Sequence, residues 1–317
     1  MRLVIQIPCF NEEATLNETI NDLPEKIPGI DEIKILVIDD GSTDRTVEVA
    51  KAHPRVSKIV ELDGHQGLAK AFKRGLEEAL RMGADIIVNT DADNQYSGGD
   101  IEKLISPIIS KRADMVIGDR NINSIPHFSR IKKILQNIGS YAVRIISKTN
   151  IRDATSGFRA YSRETAMKLN IFSSYTYTLE TIIQAGLQGL RIEAAGIKTN
   201  RTTRESRLIR SIPNYVYRSI LTMLEIFIIY NPIKFFSLIS LFFFTPGLFL
   251  ICRFFYFYFT VKGPTGYIQS LVISIALIMI GSLILLIGIV ANLISTNRKL
   301  LEEMNRKLKL LEFRPEE

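Results

Sequence analysis

Histidine and cysteine are scarce in this 317-residue chain. Its three histidines, His53, His65 and His127, are scattered and lack metal-ligand spacing, which argues against a zinc site. Cys9 and Cys252 stand alone, one in the first apolar strand and one in a late apolar run. Neither a disulfide framework nor a redox pair is expected. The chain also lacks zinc-finger spacing, aromatic-basic interleaving and a basic recognition helix, so its net charge of +7 does not point to nucleic acid. Anionic lipid and phosphorylated ligands remain as explanations for 40 Lys and Arg against 33 Asp and Glu. The first residues enter a strand directly, so no signal peptide is expected.

Residues 1–210 read as an α/β domain. Short apolar runs at Leu3–Pro8, Lys34–Asp40, Ser57–Leu62, Ile86–Val88 and Asp114–Gly118 alternate with helical stretches. The helices are expected from Asn11 to Asn21, from the Gly41-Ser42-Thr43-Asp44 turn to His53, from Gly67 to Met82 and from Asp100 to Lys111. Strands and helices at this spacing argue for a largely parallel sheet covered on both faces. Further helices are expected at Arg130–Thr149, Glu164–Leu169 and Tyr177–Leu187, with a strand-turn at Asp153–Tyr161 and a strand at Arg191–Thr199. Residues 199–210 are densely basic.

The chemistry concentrates at Asn89-Thr90-Asp91-Ala92-Asp93-Asn94-Gln95, where the fourth strand ends. Strand alternation points Asp91 and Asp93 to one side. Two carboxylates that close repel unless a cation or a proton sits between them. Hard oxygens with the Gln95 amide nearby suit Mg²⁺ or Mn²⁺, and an ion with few protein ligands shares its shell with substrate phosphates. The second strand also ends in paired acids, Asp39 and Asp40. Both pairs meet at the carboxyl edge of the sheet, where open α/β sheets bind ligands.

The last third differs in kind. Residues 211–231 read as a juxtamembrane amphipathic helix. Residues 232–296 hold two transmembrane helices: Phe235–Cys252 and Tyr267–Thr296 are uncharged, with Pro246-Gly247 a candidate kink. Residues 297–317 form a helical tail, suited to oligomerisation or to a membrane surface. Cations flank both spans on one side, at Arg201, Arg204, Arg207, Arg210 and Arg218 and again at Arg298, Lys299, Arg306 and Lys307. By the positive-inside rule a multi-pass protein of the cell membrane is expected, with the α/β domain and both termini cytoplasmic.

Taken together, Ile7-Pro8-Cys9-Phe10-Asn11-Glu12-Glu13, Val37–Asp44 and Asp91-Ala92-Asp93-Asn94-Gln95 resemble the inverting GT-A glycosyltransferases in order and spacing. Arg120, Arg130 and Thr155–Tyr161, with the membrane hairpin, resemble the polyprenyl-phosphate branch, which includes dolichol-phosphate mannosyltransferases and bacterial glucosyl relatives. The resemblance spans roughly residues 1–210. It implies a GT-A, Rossmann-like fold, a nucleotide site at Pro8, Glu12 and Asp39, with Asp40 as an alternative, and a metal and diphosphate site at Asp91, Asp93 and Gln95. It also implies phosphate-holding cations at Arg120, Arg130 and Arg204, with Arg207 as a rival to the last. The chain departs from the family pattern at Asn94, at Tyr96-Ser97-Gly98-Gly99-Asp100, and in lacking a glycine before Ser206.

The implied donor is UDP-glucose, UDP-N-acetylglucosamine or GDP-mannose, and the implied acceptor a polyprenyl phosphate in the lipid bilayer. Such an acceptor is already an anion and needs no general base. A glycan or lipid hydroxyl acceptor would need one, and Glu180 and Asp153 are the candidates. A membrane-tethered nucleotide-binding scaffold is the non-enzymatic alternative. A homo-oligomer stays open.

Overall fold

The computed structural model describes residues 1–121, 130–171 and 176–200, parts of 217–230, and residues 231–260 and 268–313. The chain divides into two compact units, Met1–Met223 with Met304–Glu317, and Leu224–Glu303.

The first unit is built on a seven-stranded sheet. In chain order the strands are β1 (Arg2–Cys9), β2 (Glu32–Asp39), β3 (Val56–Glu61), β4 (Ile86–Asn89), β5 (Met115–Asp119), β6 (Arg159–Ser162) and β7 (Ile192–Gly196). In space they run β3-β2-β1-β4-β6-β5-β7, parallel except for β6. β1, β4 and most of β5 are buried along their length, as apolar runs without alternation require when helices cover both faces. The helices are α1 (Leu16–Asp22), α2 (Thr46–Ala52), α3 (Leu68–Arg81), α4 (Ile101–Ile109), α5 (Arg130–Ser147), α6 (Arg163–Lys168) and α7 (Thr178–Leu187). The order 2-1-4 places a topological switch point between β1 and β4, the crevice where such sheets take ligands.

Two expectations shift. α1 starts at Leu16 rather than near Asn11, because Asn11 adopts a left-handed φ of 56° and the Glu12 N–H bonds Thr46 Oγ1 at 2.7 Å. The first acids of that motif therefore sit in a turn at the sheet edge. The last strand stops at Gly196, after which the Lys198 N–H bonds Asp100 Oδ2 at 2.6 Å and Thr199 bridges Tyr96.

The second unit holds most of two long helices, α8 (Pro232–Thr260) and α9 (Ile268–Glu312), each long and apolar enough to cross a membrane. α8 runs on through Pro246. The helices pack along small residues: Ser240 and Gly247 on one, and Ser274, Gly281, Gly288 and Ser295, every seventh residue, on the other. The Ser240 hydroxyl donates to the Gly281 carbonyl at 2.8 Å, and a Cβ on Gly288 would lie 2.7 Å from that of Phe236. Backbones approaching this closely are the usual means of helix association where solvent exclusion gives no help.

The last turns of α9 belong to the first unit and dock on it. Phe313 is buried, with Arg81 over its ring at 5.5 Å, and Arg81 also bonds Glu312 at 2.8 Å. Asn305 donates to Asn170 at 3.0 Å and Arg163 donates to the Phe313 carbonyl. One face of the tail is thus taken by the first unit.

Gly75 shows how tightly α3 seats on the sheet. A Cβ there would lie 2.5 Å from Gln6 Oε1 and 2.9 Å from Ile38 Cδ1. Gly75→Ala is expected to destabilise the protein by about 1–3 kcal/mol through overpacking, read as a lower unfolding midpoint in detergent or nanodiscs.

Candidate active site

Three strand ends build the site. Cys9 at the end of β1 pairs in register with Asp39 at the end of β2, and Gln6 of β1 pairs with Asn89 of β4. Asp39 and Asp91 therefore flank β1 on opposite sides, about 10 Å apart at the usual strand spacing. The Cys9 thiol reports the convergence: burial pushes its pKa well up, and Glu12, Asp39, Asp44 and Asp91 push it further.

Asp39 is buried. Its Oδ2 accepts from the N–H groups of Gly41 at 3.1 Å and Ser42 at 3.0 Å, while its Oδ1 has no partner among the described residues. Asp40 is equally buried but fully engaged. It accepts from the N–H groups of Gln66 at 2.7 Å and Gly67 at 2.9 Å, and His65 Nδ1 stands 2.9 Å away. The adjacent acids differ in what they can offer: Asp40 fastens the 64–67 loop, whereas Asp39 keeps a buried acceptor in hand. An unpaired buried oxygen is costly unless a ligand uses it. Gly41 is required beside it, since at φ 72° a Cβ would lie 2.4 Å from the Gly64 carbonyl carbon. Pro8 is buried in β1 beside Ile38. Glu12 is buried and accepts from Thr15 Oγ1 at 2.9 Å.

On the other side of β1, Asp91 is half-buried with its carboxyl pKa pushed up to about 7. Burial is the main cause, the Asp93 charge the next, and Arg120 opposes both. Asp93 Oδ1 accepts from the Gln95 N–H at 3.1 Å, closing a turn in which Asn94 takes a φ of 51°. The Asn94 position thus uses one of the few residues that tolerate a left-handed backbone. Gln95 holds the turn through its main chain, its carbonyl accepting from the Asn200 N–H at 2.9 Å.

The stretch that departs from the family pattern is built in firmly. Tyr96 is buried and stacks on Phe158 at 5.0 Å. The Gly98 N–H bonds Asp22 Oδ2 at 2.5 Å, and a Cβ on Gly98 would lie 2.2 Å from the Asp22 carbonyl oxygen, so only glycine fits.

Arg120 is buried and forked onto Asp153, with Nε to Oδ2 at 2.6 Å and Nη2 to Oδ1 at 2.9 Å, and Nη2 also donates to Thr155 Oγ1 at 2.7 Å. Burial works against both charges but the pairing outweighs it. Arg120 is held above the usual guanidinium range and Asp153 below the usual carboxylate range. Arg120 lies close enough to Asp91 to oppose its shift, yet most of its donors are spent on the protein. Arg130 opens α5, and its side chain lies outside the described residues, as do Arg204 and Arg207 altogether.

Reading the sequence missed the support under Asp91. Gln6 Nε2 donates to Asn89 Oδ1 at 2.9 Å, and Asn89 Nδ2 donates to the Gly157 carbonyl at 2.9 Å and to the Tyr177 hydroxyl at 2.8 Å. The Gly157 N–H bonds the Tyr96 hydroxyl at 3.1 Å. A Cβ on Gly157 would lie 2.9 Å from both carboxylate oxygens of Asp91, so the carboxylate rests on that glycine. The available signal was a polar residue inside each of two buried apolar strands, at Gln6 and Asn89.

Among the described residues no group of three or more His, Cys, Asp or Glu closes around a metal ion. Two carboxylates, one of them held up to about 7 by burial and by its neighbour's charge, fit a divalent cation that takes its remaining ligands from a substrate.

Residues 4–169 match the family described as Glycosyl transferase family 2. An uncharacterised protein of Methanocaldococcus jannaschii is 32% identical over 203 residues, covering 62% of this chain and 81% of that protein. The UDP-N-acetylglucosamine–dolichyl-phosphate N-acetylglucosaminyltransferase of Methanococcus voltae is 29% identical, covering 61% of this chain and 83% of that protein. The undecaprenyl-phosphate mannosyltransferase of Micrococcus luteus is 28% identical over 61% and 81%. Among solved structures, glucosyl-3-phosphoglycerate synthase of Mycobacterium tuberculosis, in complex with Mn²⁺, UDP and glucosyl-3-phosphoglycerate, shares the fold. Its TM-score is 0.54 at 21% identity, covering 70% of this chain and 79% of that one.

A divalent cation binding here would have to displace the Asp91 proton, so apparent Mn²⁺ affinity is expected to be flat above pH 8 and to fall about tenfold per pH unit below 7. Calorimetric titration from pH 5.5 to 8.5 measures this, and the dependence should vanish in Asp91→Asn.

Proposed function

Since this chain belongs to glycosyl transferase family 2, we propose that it moves a sugar from a nucleoside-diphosphate donor to a membrane polyprenyl phosphate. The named relatives that use dolichyl and undecaprenyl phosphates support this acceptor class. So do the two membrane-capable helices of this chain.

The observation that carries the reading is the state of the acids. One buried oxygen, Asp39 Oδ1, is left over for a nucleobase N–H, while the two residues suited to serve a hydroxyl acceptor as base are occupied. Asp153 is forked by Arg120, and Glu180 is buried and accepts from Gln184 Nε2 at 3.1 Å. With both of these residues engaged, an acceptor that arrives as an anion fits better than a hydroxyl that must be deprotonated. In this reading Pro8, Glu12 and Asp39 hold base and ribose, and Asp91, Asp93 and Gln95 hold the diphosphate end. A divalent cation bound there would neutralise charge building on the departing diphosphate.

Asp91 is held at the correct height by Gly157, and the Asp93–Gln95 turn fixes its neighbour. The Arg120 charge lies on the same side as Asp91 and favours a second phosphate without meeting it through a full fork. Arg130 and Arg204 would supply the free cations. The acceptor oxygen attacks the anomeric carbon as the bond to the diphosphate breaks, so a single displacement inverts that centre. The cations at 298–307 and 201–218 support a cytoplasmic face for the site.

Membranes containing the protein, supplied with UDP-glucose, UDP-N-acetylglucosamine or GDP-mannose, Mn²⁺ and polyprenyl phosphate, should yield a sugar-phospholipid with one of these donors. Asp93→Ala should lower turnover at least a hundredfold, on the order expected for losing transition-state charge stabilisation. A product on a hydroxyl acceptor, or metal-dependent donor binding with no turnover, would replace this reading. Donor binding separates the adjacent acids: Asp39→Asn should weaken it about tenfold or more with the melting temperature held, as loss of a hydrogen bond to a charged group implies. Asp40→Asn should lower the melting temperature by freeing the 64–67 loop.

A further inference from the structure

α9 keeps a seven-residue repeat on two faces. Ser274, Gly281, Gly288 and Ser295 form the buried small-residue line against α8. One residue before each of them stands an exposed isoleucine, at 273, 280, 287 and 294. This second line does not stop with the apolar run. Past Arg298, the first charged residue of α9, it passes to Leu301 and Leu308, with Met304 and Leu311 three residues after each. Apolar residues alternating at three and four are the seam pattern of a coiled coil. A strict seven-residue repeat keeps such a seam in line along helices that wind left-handed about one another.

Within the membrane-capable run, lipid suffices to cover apolar side chains. Beyond Arg298 it does not. Leu301, Met304, Leu308 and Leu311 are 59–72% exposed. α9 continues without a break to Glu312, so the segment after Arg298 rises about 20 Å along the helix axis past the apolar run. An uninterrupted helix that crosses a bilayer does not also lie along its surface. The other side of this segment is already held: Asn305 bonds Asn170, Lys309 Nζ donates to the Leu169 carbonyl at 3.4 Å, and Phe313 is buried. A row of large apolar groups left in water calls for a partner.

The same residues identify that partner. Two copies inserted alike in one membrane carry α9 in parallel, the orientation in which each seam residue meets its own counterpart. Lys307 and Glu312 border the seam on opposite sides, five residues apart, the offset at which flanking charges of parallel helices pair across it. Lys307 is exposed and has no acidic partner among the described residues. Glu312 bonds Arg81 yet keeps 54% of its side chain exposed. Asn297 is exposed in the row of Met304 and Leu311, where the apolar run gives way to charge. In a parallel pair it faces its own copy, and an amide at a seam position fixes register.

We propose that α9 packs along its Leu301–Leu311 seam against α9 of a second copy of this chain, parallel and in register. The inference does not rest on the proposed reaction, and its test reads association, not turnover.

Cysteines are placed singly in the full chain as Met304→Cys, Leu308→Cys and Leu311→Cys, with Leu310→Cys, exposed on another face, as control. Cys252→Ser in all of them leaves only the buried Cys9 besides the new thiol. Melting temperatures equal to that of Cys252→Ser establish that each variant is folded. Oxidation in native membranes should link all three seam variants to their own copy at about five times the yield of the control or more, since only paired Cβ atoms come within disulfide range. Same-site linkage at all three positions requires parallel helices. Adding Leu301→Glu and Met304→Glu to Leu308→Cys should bring its yield down to the control level. Linkage at one seam position alone overturns the parallel register. Yields no higher than the control overturn the proposal altogether. In that case a thiol open to aqueous maleimide leaves the face bare, one protected by lipid assigns it to the bilayer, and one linked to another polypeptide assigns it to a different protein.

Discussion

A carboxylate pressed against a glycine and faced by another carboxylate is the interaction around which this enzyme is arranged. Asp91 would shed its proton in water at ordinary acidity, but here burial and Asp93 hold it on to about pH 7. Arg120 and the buried Arg159 moderate the shift without cancelling it. Arg159 itself is held by the carbonyls of Ser156, Thr178 and Ala154 and by Thr181 Oγ1, so its charge is felt at Asp91 only at a distance. The fold therefore keeps a deficit of positive charge at the switch point of its sheet. Strong ion pairing would have removed that deficit and with it the pull on a cation.

Most of the architecture was legible because buried parallel strands leave continuous apolar runs that few other structures produce. The runs ending at Asp39 and Asn89 could be placed at one edge of one sheet from spacing alone. β6 was not legible in direction. Arg159–Ser162 is four residues long, and its antiparallel seat between β4 and β5 follows from tertiary packing, not local pattern. The start of α1 was misjudged because acids in a first turn look alike whether they cap a helix or line a sheet edge. There the left-handed Asn11 decides.

At the site, residue type was readable and engagement was not. Asp39 and Asp40 are neighbours with the same chemistry. Only the fold reveals that the loop at 64–67 consumes one and leaves the other an open oxygen. Arg120 looked like a free cation because its partner, Asp153, is 33 residues away in sequence. A buried pair of this kind is costly to break, since whichever charge remains is stranded. Arg120 therefore contributes as much to holding the 153–155 turn as to the field at Asp91. The polar pair Gln6 and Asn89 was visible as an anomaly in two apolar strands, but its purpose appears only once Gly157 is seen between Asn89 and the carboxylate.

The contact of Asp91 with Gly157 has an evolutionary consequence. Two positions 66 residues apart are coupled by sterics: a Cβ at 157 would meet both Asp91 carboxylate oxygens at 2.9 Å and the Tyr177 hydroxyl at 3.1 Å. A lineage that adds a side chain at 157 would have to give way at both 91 and 177.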